Sequence, residues 1–130
     1  MNQTGKTGMN NETFFFDTYA LFEIVRGSEN YKKFRDCKII TTIFNLAEFN
    51  YNLKKETDKE TADRILEKYK DEEVKVTLED VKQASNLKIK HKKMSIPDVI
   101  GYVVAKRHGV KFLTGDNDFQ GFENVEFVKK

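Results

Sequence analysis

The stretch SIPDVIGYVVAKRHGVKFLTGDNDF, residues 95–119, decides the fold. Ser95 and Asp98 stand at capping-box spacing, and Pro97 falls in the first helical turn, where a missing N–H costs nothing. The run to His108 reads as the most apolar helix of the chain, and Gly109 ends it. Residues 110–114 then read as a strand. Upstream the same alternation repeats. Residues 14–16, three phenylalanines, are too short a run for a helix and predict a buried strand that ends at Asp17-Thr18. Residues 19–27 predict a helix stopped by Gly27, residues 28–36 a second short helix, and residues 37–40 another buried strand. Helices are expected over 43–55 and 57–70, a weak edge strand over 74–77, and a helix from Thr77 to about Lys90 with an acid at its third position. Residues 125–128 predict a last strand. Strands alternating with helices imply an α/β layer fold around a mostly parallel sheet. In such sheets function collects at the C-terminal ends of the strands.

The 130 residues fit one domain, and 38% hydrophobic against 34% charged residues is a globular composition. Residues 1–12 are polar and read as a disordered leader, leaving 13–130 as the domain. The opening lacks the apolar core of a secretory signal, and no run is long enough for a membrane helix. A single cysteine, Cys37, excludes an intrachain disulfide framework and suits a reducing, cytoplasmic setting. It also excludes a cysteine-based zinc site, and two histidines leave little for a histidine-based one. The net charge of +2 argues against a strongly basic nucleic-acid coat.

The position of the acids is more telling. Residues 54–93 hold 10 of the 21 acids and 12 of the 23 basic residues, mixed at helical spacing as a solvated surface. Elsewhere acids stand alone. Asp17 is the only charge in residues 13–22, Glu48 in 41–53 and Asp98 in 94–105, and Asp116 and Asp118 are the only charges in 112–122. Each has an ordinary explanation by itself: an N-cap for Asp17, a solvated helix face for Glu48, a capping box for Asp98, a turn for Asp116-Asn117-Asp118. Together, on the predicted elements, they can meet at one rim of the sheet. Carboxylates so gathered repel one another unless a cation compensates them. Oxygen donors of this kind select Mg²⁺ or Mn²⁺, which suits phosphodiester hydrolysis.

The order FFFDTYAL, TTIFNLAEF, SIPDVIGYVVAKRHGVKFLTGDNDF resembles a PIN-domain ribonuclease, most like the VapC-type toxins, over roughly residues 13–128. The resemblance implies a three-layer α/β fold with a mostly parallel central sheet flanked by helices. It also implies a metal-dependent endoribonuclease acting on RNA, held in check by a small antitoxin and commonly a homodimer. By position Asp17, Glu48, Asp98 and Asp116 match the family's acidic quartet, Asp118 a further acid, and Thr18 and Thr114 flanking hydroxyls. Asp17, Asp98 and Asp116 are the expected metal ligands, and Glu48 or Asp118 the group that orients or deprotonates water. A non-toxin PIN nuclease of RNA processing, or an inactive PIN-like binding module, are the alternatives.

An acidic site needs basic flanks to hold RNA. Lys90, Lys92 and Lys93, with Lys88 and His91, form the densest basic patch, and Arg107, Arg26 and Lys106 are further candidates. The phenylalanines after Asp17 and at positions 44–49 offer either dimer surface or core. Gly5-Lys6-Thr7 lacks the upstream glycine and strand of a phosphate-binding loop. An aspartyl-phosphate phosphatase would want an acid two residues after Asp17, where Tyr19 stands.

Overall fold

All three phenylalanines of the FFF run are buried because their strand, β1 (Thr13–Phe16), lies inside a sheet covered on both faces. The computed structural model describes residues 12–130. Its sheet contains β1, β2 (Lys38–Ile40), β3 (Lys111–Thr114) and β4 (Val125–Phe127) in the order β2-β1-β3-β4, every pair parallel. Phe15 lies opposite Phe112 and Phe16 opposite Leu113 in the register of β1 with β3. Side chains alternate across a strand, so the run divides between two cores. Phe14 and Phe16 pack with Leu21, Phe34, Leu46 and Phe49, from α1 (Thr18–Arg26), the 3₁₀ turn Glu29–Phe34 and α2 (Ile43–Glu56). Phe15 packs on the other face with Ala84, Val99, Ile100 and Phe119. That layer is built by α4 (Leu78–Lys90) and α5 (Ile96–Arg107), while α3 (Lys59–Glu67) lies with the first. Helices on both faces of a parallel sheet make the three layers expected.

The helix signals work as read. Thr77 and Ser95 both cap their helices in complete capping boxes, with Asp80 and Asp98 returning bonds to the caps' backbone. Gly27 closes α1 in the left-handed region at φ 72°. A Cβ on Gly101 would stand 2.9 Å from the Phe15 ring and 3.2 Å from Asn45 Oδ1. The absence of a side chain there lets α5 lie close against β1, which fixes the helix that carries Asp98.

Three expectations need correction. Residues 37–40 do not form a buried strand; β2 is an edge, with Lys38 exposed and Ile39 and Ile40 half-buried. Residues 57–70 are helical only over α3, which starts after the Asp58 cap and gives way to a 3₁₀ turn at Lys70–Glu72. Residues 28–36 do form the second short helix, of 3₁₀ type over Glu29–Phe34. Residues 74–77 form no strand: pairing stops at the isolated bridge between Thr41 and Glu73, and the Lys75 carbonyl accepts from Arg107 Nη2 at 2.9 Å. The expected leader lies outside the described residues except for Glu12, whose carbonyl accepts from Lys38 N at 2.8 Å. Phe22 and Phe49 belong to the core, while Phe44 is 38% exposed. No helix among the described residues is long and apolar enough to cross a membrane.

Candidate active site

From β1 the chain moves to β2 on one side, and β3 joins β1 on the other. The winding therefore reverses between β1 and β3, and at such a switch point a crevice opens beyond the C-terminal strand ends. Asp17 follows β1 there, and Thr114-Gly115-Asp116 ends β3 and turns away beside it. Gly115 is held to glycine by its neighbours, since a Cβ would fall 2.3 Å from the Tyr19 ring and 2.4 Å from the Val128 carbonyl.

Asp17 is only 2% exposed. It caps α1, its Oδ1 accepting from Ala20 N at 2.9 Å, and the Thr114 hydroxyl donates to Oδ2. The same hydroxyl accepts from Asp116 N at 3.0 Å, so one side chain ties the two strand ends together. Burial holds the Asp17 carboxyl well above the ordinary carboxylate range, against these hydrogen bonds, and the charges of Asp98 and Asp116 push it further. Asp98, half-buried at the start of α5, accepts from Ser95 N at 2.9 Å. Burial raises it to about 6, with Asp116 and Glu48 adding to the shift. Glu48 on α2 is half-buried and accepts from the Thr18 hydroxyl at 2.6 Å. Asp116 accepts from Asp118 N at 2.9 Å, and Asp118 itself is exposed. Asp17, Asp98 and Asp116 thus lie near enough to feel one another's charge, Glu48 lies near Asp98, and Asp118 is one backbone hydrogen bond beyond Asp116.

The contrast with the other buried carboxylates is sharp. Glu23 and Asp80, also 2% exposed, each meet an arginine: Arg26 Nη1 lies 2.9 Å from Glu23, and Arg107 grips Asp80 through Nε and Nη2 at 2.9 and 2.8 Å. Burial would raise Asp80, but Arg107 and the Thr77 cap outweigh it and hold the group below its usual value. No cation pairs with Asp17 among the described residues.

One group escaped the sequence reading. Asn45 is fully buried, accepting from the Thr42 hydroxyl at 2.7 Å and donating to the Thr18 hydroxyl at 3.4 Å, so it sets the donor that holds Glu48. The T-x-x-N spacing of a helix cap at Thr42 was its available signal.

The basic candidates divide. Arg107, Lys106 and Arg26 are committed to Asp80, Glu123 and Glu23/Glu56, and Arg107 sits at the end of α5 away from Asp98. A cavity of about 620 Å³ near Arg107 and Asp80 shares that remote position. Lys88 donates to main-chain carbonyls. Lys90, Lys92 and Lys93 are exposed, have no ion-pair partner among the described residues, and border a cavity with Asp118.

The family model for the PIN domain matches residues 14–125. The chain belongs to the PIN domain family. Solved PIN-like chains share its fold at low identity. A toxin–antitoxin complex from Klebsiella pneumoniae matches with TM-score 0.68 and 19% identity, over 86% of this chain and 94% of that one. VapBC2 from Rickettsia felis, bound to a DNA fragment from its promoter, matches with TM-score 0.68 and 14% identity, over 90% and 99%. A member of the VapBC family of toxin–antitoxin systems from Mycobacterium tuberculosis gives 0.64 and 19%, over 91% and 98%. No curated protein matches the chain. In this PIN domain Asp17 and Asp116 follow the ends of β1 and β3 with Asp98 close by, and the two most buried carboxylates elsewhere are neutralised by arginine.

Proposed function

We propose that this PIN domain hydrolyses RNA phosphodiester bonds endonucleolytically with a divalent cation, Mg²⁺ or Mn²⁺, and acts as the toxin of a toxin–antitoxin pair. The observation that carries the reading is Asp17, a buried carboxylate left without an arginine while two others have one, and facing further acids. A carboxyl so placed stays protonated unless a cation from outside the chain compensates its charge.

The donors fit a hard ion. They are carboxylate oxygens, and the one thiol, Cys37, is buried and pushed up to about 12, its Sγ donating to the Phe34 carbonyl. Among the described residues no three acid, His or Cys side chains close tightly enough to hold an ion unaided. Magnesium bound through few carboxylates, with water completing its shell, is compatible with that spacing. Asp17, Asp98 and Asp116 would hold it. When bound, the cation supplies charge neutralisation at the phosphate and a more acidic water.

The chain's own side chains do the rest. Thr114 and the Ala20 N–H keep the Asp17 carboxylate in place, and the Ser95 N–H keeps Asp98. Glu48, steadied by Thr18, orients the attacking water or accepts its proton, with Asp118 as the more exposed second candidate for that task. The toxin role is supported by the fold shared with chains of toxin–antitoxin complexes. A small antitoxin would silence such a site by bringing the cationic side chain that Asp17 lacks. Association as a homodimer is part of the same reading, with exposed Ile43 and Phe44 on α2 as apolar surface. Asp17→Asn and Asp98→Asn are each expected to abolish cleavage of a single-stranded RNA while circular dichroism stays that of the parent. Near-normal cleavage by either folded variant contradicts its assignment.

A further inference from the structure

The residues joining α4 to α5, 91–95, are held more firmly than a surface turn of this composition requires. Lys88 Nζ donates to the Lys92 carbonyl at 3.1 Å and to the Met94 carbonyl at 2.6 Å, spanning the turn from inside. Met94 is buried at 2% exposure, and its N–H donates to the His91 carbonyl at 3.0 Å. His91 N caps α4, and its ring packs edge-to-face with Phe122, the centroids 5.0 Å apart. The turn leaves Lys90, Lys92 and Lys93 exposed around a cavity of about 270 Å³ whose acidic wall is Asp118. Asp118 is one hydrogen bond from Asp116.

From this juxtaposition we propose that the turn is a phosphate-binding subsite for the RNA strand next to the scissile bond. Lys92 and Lys93, with Lys90 behind them, bind backbone phosphate, and Lys88 is a positioning residue that holds the turn without touching RNA. The inference rests on the nuclease reading above. Lys88 and Lys90 lie in the last turn of α4 and suit its negative end, while Lys92 and Lys93 follow the His91 cap and have no carboxylate partner among the described residues. Their charge faces an acidic site that would otherwise repel the strand. Fixing the turn in advance removes the cost of ordering it on binding.

The test is the anisotropy of a labelled single-stranded RNA, titrated with the full chain at several salt concentrations. An Asp17→Asn background in Mg²⁺ prevents cleavage. Lys92→Ala/Lys93→Ala should weaken binding about tenfold and reduce the slope of log affinity on log salt by roughly 1.4, two phosphate contacts at about 0.7 each. Lys88→Met should weaken binding about threefold with the slope unchanged, since its ammonium meets carbonyls. Melting curves identify any variant that fails to fold; Lys92→Glu then repeats the charge test singly, with a larger loss expected. Unchanged affinity and slope in the Lys92/Lys93 variants on a parent that binds RNA overturns the subsite alone. A reduced slope in Lys88→Met overturns its positioning role. Polyglutamate displacing the RNA at equal charge assigns the turn to an acidic protein and overturns the proposal. No RNA binding by the parent, with no cleavage by the unaltered chain, overturns the nuclease reading as well.

Discussion

Asp80 and Asp98 occupy the same position in the same motif, the third residue of a helix capped three residues earlier by Thr77 or Ser95. Their surroundings make them opposites. Arg107 reaches Asp80 from α5 with two hydrogen bonds and keeps it ionised. Asp98 meets Asp116 and Glu48, and together with burial they lift it to about 6. A folded-state value above the ordinary 3.8 means that the native chain binds this proton more tightly than the unfolded chain does. The associated stability is complete below about pH 4 and is lost as pH rises through about 6. In EDTA, Asp98→Asn is therefore expected to stabilise the protein at pH 8 by roughly 1–2 kcal/mol, allowing for partial exposure, and to change little at pH 4. Urea melts of variant and parent at both pH values check this. Destabilisation at pH 8 would mean that the Asp98 charge is welcome in the metal-free fold.

At the scale of elements, α5 connects the site to the frame. Its first turn carries Asp98, its middle packs on β1 through Gly101, and its last turn is joined to α4 by the Arg107–Asp80 pair. Arg107→Met leaves the Asp80 carboxylate buried and unpaired. It is expected to cost about 2 kcal/mol, less than a wholly buried pair because the arginine is 40% exposed. Its RNA affinity at a temperature where it is folded should match the parent's. A melt unchanged by the substitution, or a lower salt slope of RNA binding, would return Arg107 to the list of RNA contacts. The sequence could not make this distinction: Arg107 ends a helix where a cation is expected anyway, and its partner lies 27 residues away. Capping boxes and central strands were legible because their signals are local. The failed strand at 74–77 was not, because its alternation was weak and the Lys75 carbonyl finds its donor in Arg107. The shortened helix at 59–67 shows the same limit, its charged surface giving no mark of where packing stops.

Across the whole molecule, the near-balance of 23 basic and 21 acidic residues hides two arrangements. Over most of the surface the charges pair or mix. At the C-terminal rim of β1 and β3 they separate, with Asp17, Asp98 and Asp116 near one another and the lysines of the α4–α5 turn beside Asp118. The isolation of Asp17, Glu48, Asp98, Asp116 and Asp118 in apolar sequence suggested that they meet at one rim, and the fold does bring Asp17, Asp98 and Asp116 near one another and Glu48 near Asp98. In the Thr42–Asn45–Thr18 chain behind Glu48 only the cap spacing at Thr42 was legible, since the link from Asn45 to Thr18 spans 27 residues and leaves no local mark. The cation requirement is the centre of the account, and one assay addresses it. Purified chain is incubated with single-stranded RNA in Mn²⁺ or Mg²⁺, in excess EDTA, and in EDTA with the cation restored. The account predicts internal cleavage with the cation, none in EDTA, and recovery on restoration; cleavage at an undiminished rate in EDTA would contradict it.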